Sequence, residues 1–140
     1  MHNNGENQMN PNFTGKWKAN LENSRLFGPV PKELLITISH SEPDLRFNMD
    51  IIAVDQNTRQ IDFQAQTTGD STTNFVLGAE WKSRLRWLDS ELLIESWVRH
   101  SGREMHLCDY WSLSSDRRVL TMEHRDDDLR GQITVLDRLE

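Results

Sequence analysis

The 140-residue chain has one cysteine, Cys108, so no internal disulfide can form and zinc sites built from several thiolates are excluded. Proline and glycine are scarce, at four and seven residues, which rules out a collagen-like or low-complexity chain. No apolar run approaches the roughly eighteen residues that a membrane-spanning helix needs. The mean hydropathy of −0.70 agrees. Positive charge is also in deficit: sixteen basic against twenty-two acidic residues leave a net −6. That balance favours solubility and argues against nucleic acid as a partner. The composition leaves homo-oligomerisation open.

Residues 1–10 are polar and lack the apolar h-region of a secretory signal. They read as a flexible N-terminal segment ahead of a single domain over 11–140. The absence of an h-region favours a cytoplasmic location over a secreted form whose signal has been removed.

From Asn12 onward the dominant signal is alternation with period two. Phe13, Gly15, Trp17, Ala19 and Leu21 share one face; Leu34, Ile36, Ile38 and His40 share the next. Leu45, Phe47, Met49 and Ile51 follow, then Ile61, Phe63, Ala65 and Thr67. The second half continues with Ser83, Leu85 and Trp87, and with the runs ELLIESWVRH and REMHLCDYWSL. Turn signals separate these runs: Gly28-Pro29-Val30-Pro31, Glu42-Pro43, Asp89-Ser90, Ser101-Gly102 and the acidic Asp126-Asp127-Asp128. One short helical turn fits the segment before Pro31; no longer helix does.

This spacing predicts an all-β fold, an antiparallel up-and-down barrel of about 8–10 strands. Two-residue links such as Asp89-Ser90 and Ser101-Gly102 force sequence neighbours to pair in the sheet. Closure into a barrel removes the exposed edges that such a meander would otherwise leave.

Phe13-Thr14-Gly15-Lys16-Trp17 carries a Gly-x-Trp signature at the first strand. Further elements are Asn20-Leu21-x-x-Ser24, the Gly28-Pro29-x-Pro31 loop, Trp87-Leu88-Asp89 and Trp111-Ser112-Leu113-Ser114-Ser115-Asp116. In this layout residues 11–139 resemble bacterial lipocalin-like domains. The first strand resembles those of lipocalins and fatty-acid-binding proteins, the calycin group of ligand-binding barrels. The resemblance implies structural roles for Gly15, Trp17 and Trp111, with the Trp17 indole closing the barrel floor. It also shows departures. Cys108-Asp109-Tyr110 stands where lipocalins carry Thr-Asp-Tyr. The last strand ends Leu136-Asp137-Arg138-Leu139, without the Arg-x-Tyr that holds a carboxylate in fatty-acid-binding proteins.

Alternation also nominates polar residues for the interior. Ser96 and His100 share a face with Leu92, Ile94 and Val98; Asp109 shares one with Met105, Leu107 and Trp111; His124 shares one with Leu120 and Met122. His106, Cys108 and Tyr110 fall on the outside. The expected ligand-binding set is therefore Ser96, Val98, His100, Met105, Leu107, Asp109, Met122 and His124. His40, His100 and His124 end their runs, so a wet barrel mouth accounts for them as readily as a ligand does. No HxH or HExxH spacing suggests a metal, no EF-hand pattern surrounds Asp126-Asp127-Asp128, and no Gly-x-Ser-x-Gly elbow supports Ser96 as a nucleophile. No cofactor is expected. Arg84, Arg86, Arg99 and Arg103 read as cross-strand partners of Glu95, Glu104 and Asp109.

The function expected is non-enzymatic binding of a small apolar or amphipathic molecule inside the barrel. The alternatives are a cavity enzyme of isomerase or cyclase type using His100, Asp109 and His124, and a ligand-free assembly barrel presenting Trp81, Trp97 or Tyr110.

Overall fold

The computed structural model describes residues 10–125 and 131–139, so Asp126-Asp127-Asp128 and residues 1–9 of the N-terminal segment lie outside the described residues. Ten strands follow in order: β1 (Gly15–Ala19), β2 (Glu33–Ser41), β3 (Asp44–Ile52), β4 (Thr58–Gln66) and β5 (Thr72–Val76), then β6 (Ala79–Leu88), β7 (Glu91–His100), β8 (Arg103–Leu113), β9 (Val119–His124) and β10 (Ile133–Leu139). No helix occurs among the described residues. The segment before Pro31 makes turns and a single bridge from Arg25 to Ile133 in place of the expected helical turn.

All ten strands belong to one antiparallel sheet in the order β4-β3-β2-β1-β10-β9-β8-β7-β6-β5. Each strand pairs with its sequence neighbours except at two places. The first is where β1 and β10 pair and bring the two ends of the chain's strands together. The second is the seam between β4 and β5, the two ends of the sheet order, which lie in contact without a main-chain ladder. The carboxamide of Asn74 spans this seam. Its oxygen accepts from the Gln64 N–H at 3.1 Å and its NH₂ donates to the Gln64 carbonyl at 2.9 Å, so one side chain stands in for a rung. The barrel is nearly closed.

The tight hairpins follow from turn chemistry. Ser101 and Gly102 both take positive φ, at 53° and 76°, as do Leu77 and Gly78 at 51° and 83°. Two consecutive residues with positive φ match the right-handed twist of the flanking strands. The Ser101-Gly102 link fixes the β7–β8 register, placing Glu95 opposite Cys108 and Trp97 opposite His106.

The apolar faces meet inside as alternation requires. Phe13, Trp17, Leu85, Leu92, Leu120 and Leu136 are inaccessible to solvent and form the floor with Ile36, Leu45 and Trp111. Phe13 stacks on Trp87 and meets Trp111 edge-on, with ring centroids 5.9 and 5.5 Å apart. The Trp17 indole donates to the Phe13 carbonyl at 3.0 Å, and the Arg138 guanidinium lies over its ring at 4.3 Å. Gly15 makes room for that guanidinium: a Cβ there would sit 2.4 Å from Arg138 Nη1, and its φ of 149° disfavours any side chain.

Candidate functional site

Above this floor, toward the end where β2 and β10 begin, the interior opens into a cavity of about 240 Å³. Its wall is mostly apolar: Leu34, Phe47, Met49, Ile61 and Phe63 from β2–β4, Val76, Trp81 and Ile94 from β5–β7, and Trp111 and Met122 from β8 and β9. Packing explains the space. Large rings crowd the floor, whereas Leu34, Met49, Ile61 and Met122 on the upper faces are only partly buried against the core.

Two ionisable residues interrupt the apolar wall. Asp109 of β8 and His124 of β9 stand directly opposite in the ladder, and Asp109 Oδ1 is hydrogen-bonded to His124 Nδ1. His124 is buried and Asp109 half-buried, and both line the cavity with Gln132 and Thr134. The hydrogen bond fixes the orientation of the ring. The arrangement provides an oriented hydrogen-bonding pair inside a mostly apolar chamber.

Of the residues proposed from sequence for ligand contact, Asp109, Met122 and His124 therefore come together on the cavity wall. The other five lie elsewhere. Ser96 is fully buried but does not line the cavity; its hydroxyl lies 2.8 Å from that of its ladder partner Ser83 on β6. Val98 and Leu107 pack with Ala79 and Trp81 in a second, smaller cluster. His100 and Met105 lie at the β7–β8 end and are exposed. Alternation expected all five inside, whereas Ser96, Val98 and Leu107 are buried and His100 and Met105 are exposed. It carries no information about neighbours, and Ser96 and Val98 are taken up by Ser83 and by Ala79, Leu107 and Trp81.

The three strand-end histidines separate by the same logic. His100 is exposed, His124 lines the cavity, and His40 is 4% exposed at the opposite, closed end. His40 Nδ1 accepts from the Phe13 N–H at 3.1 Å, so its Nε2 carries the proton that is shared with Glu42 at 2.5 Å. Glu42 Oε1 also accepts from Thr67 Oγ1 at 2.7 Å and Trp87 Nε1 at 3.3 Å. Burial alone would raise the Glu42 carboxyl. The hydrogen bonds from His40, Thr67 and Trp87 outweigh it and hold the group below its ordinary value. His40 is thus a bonded structural histidine tying β2 to the segment before β1.

The arginines behave as cross-strand partners in part. Arg84 meets Glu95 at 3.1 Å and Arg99 meets Glu104 at 3.8 Å, whereas Asp109 turns inward to His124.

No known protein family model matches the chain, and no curated protein matches it. The reading of function therefore stands on this geometry.

Proposed function

We propose that the barrel binds a small, mainly apolar molecule carrying one hydrogen-bonding group, without chemical turnover. The resemblance to lipocalin-like domains agrees with this reading. The observation that carries it is the chamber of about 240 Å³ with Asp109 and His124 on its wall. Its volume lies above the roughly 150 Å³ of a cavity that takes benzene and below the roughly 300 Å³ where drug-sized sites begin. The ligand class is accordingly a single-ring aromatic or a monoterpenoid-sized alcohol or amine, rather than a long-chain fatty acid. Trp81 and Trp111 lie on the wall, so occupancy changes their emission.

The test is a titration with paired probes, such as a monoterpenoid alcohol and its parent hydrocarbon, read by tryptophan emission. Saturable binding of the alcohol is expected. Asp109→Asn should weaken the alcohol by about 0.5–1.5 kcal/mol while leaving the hydrocarbon unchanged, because a hydrogen bond to the pair is what the variant loses. Absence of saturable binding across lipid, terpenoid and aromatic probes overturns the reading.

A second reading, an isomerase-like enzyme, draws on the same Asp109–His124 pair, which has the form of an oriented acid–base group. It loses His100, which is not on the cavity wall. Turnover of a bound probe, rather than binding alone, distinguishes it. The assembly-barrel alternative draws less on these residues: Trp81 lines the cavity, while half-buried Trp97 and Tyr110 carry His106 and Arg125 on their rings.

A further inference from the structure

On the outer wall of the barrel, away from the cavity, three unlike donors converge. Glu95 of β7 and His106 and Cys108 of β8 each offer one ligand atom, and these atoms all lie within 4.8 Å of one another. His106 and Cys108 are two residues apart on one strand and so share its outer face; Glu95 is the ladder partner of Cys108. Glu95 Oε2 is 2.7 Å and Cys108 Sγ 3.9 Å from the same atom, His106 Nε2. We propose that Glu95, His106 and Cys108 form a binding site for a zinc-class divalent cation on the β7–β8 face.

The convergence on one nitrogen decides between two chemistries. A cysteine nucleophile activated by a histidine needs the acidic partner on the ring nitrogen that faces away from the thiol. Here carboxylate and sulfur both face Nε2, so the three lone pairs point into a common space, as ligands around a metal do. The donor set sorts the ion as well. A thiolate, an imidazole and a carboxylate are the ligands of zinc and cobalt(II), while magnesium and calcium take oxygen alone. Coordination sends the thiol proton of Cys108 to solvent and requires His106 to carry its remaining proton on Nδ1.

Neighbouring side chains hold the donors in place. Arg84 binds the other oxygen of Glu95, Oε1, at 3.1 Å, which leaves Oε2 directed at the site. Trp97 stacks on the His106 ring at 5.1 Å between centroids and is itself covered by Arg84 at 5.1 Å. Such outer contacts orient metal ligands and set their affinity. Three protein donors leave a fourth tetrahedral position for water or an exchangeable ligand.

Cobalt(II) is the probe, because a thiolate bound to it gives a charge-transfer absorption in the near ultraviolet. The intact protein is expected to develop this band with one equivalent of cobalt and to lose it on adding zinc. Cys108→Ser should abolish the band. His106→Ala and Glu95→Gln should each weaken cobalt binding by about 10-fold or more, with far-ultraviolet circular dichroism unchanged since all three side chains lie on the outer face. The proposal is overturned if excess cobalt produces no thiolate band. Cobalt affinity that is the same in Cys108→Ser, His106→Ala and the unmodified chain also overturns it, since the ion is then held elsewhere. Neither outcome bears on the cavity, whose occupancy is read by Trp81 and Trp111.

Discussion

Single residues decide which of the buried polar groups serve the fold. Glu42 collects hydrogen bonds from three side chains at the closed end, and its ionised form is the one that accepts them. Its folded-state pKa lies below the ordinary 4.5. The stabilisation it contributes is therefore fully present above that value and is lost as pH falls through the lower folded value. Acidification below 4.5 is expected to lower the urea midpoint of the unmodified chain. Glu42→Gln removes the titrating group, so its midpoint should fall less over the same interval. Parallel pH profiles for the two proteins count against this role. Little of this was legible beforehand. A histidine at the end of an apolar run has the same pattern whether it meets solvent or Phe13 and Glu42, because partners contributed by another segment leave no mark on local alternation.

At the scale of elements, the strands and their order were largely legible, and the seam was not. Alternating runs and two-residue links determine most of the ten strands and their neighbours, since a short link permits only a hairpin. Counting back across Ser101-Gly102 puts Glu95 opposite Cys108, so the outer donor cluster was present in the sequence as a register, though no HxH or HExxH motif marks it. Where β4 and β5 meet, by contrast, no main-chain ladder forms and Asn74 carries the junction. Asn74→Ala removes two hydrogen bonds, each worth about 0.5–1.5 kcal/mol. The variant is expected to lose about that much per bond in denaturant unfolding and to exchange the Gln64 amide faster. An unchanged exchange rate at Gln64 would show that the seam is held by packing alone.

For the whole molecule, floor and chamber meet at Trp111 but are otherwise lined by different side chains, and stability and binding should separate with them. The floor holds Trp17, Leu85, Leu92 and Leu120, all inaccessible to solvent, while Met122 stands on the chamber wall. Met122→Phe places extra volume in the chamber. Probe binding should fall sharply, while Tm holds or rises by a few degrees, as for cavity-filling substitutions in general. A large loss of Tm would instead mean that the chamber wall is close-packed, with no room for a ligand.

What the sequence by itself determined is the class of fold, the strand sequence and the buried parity of most apolar side chains. These follow from local rules: alternation with period two, and turn residues that allow only certain links. The tertiary structure decided the neighbours of each inward side chain, and with them that Asp109 and His124 reach the chamber while Ser96 and His100 do not. It also decided how the ring closes and which histidine is a structural bond. Those outcomes depend on strand tilt, stagger and the packing of large rings at one end, which arise from all ten strands together and are written in no single run.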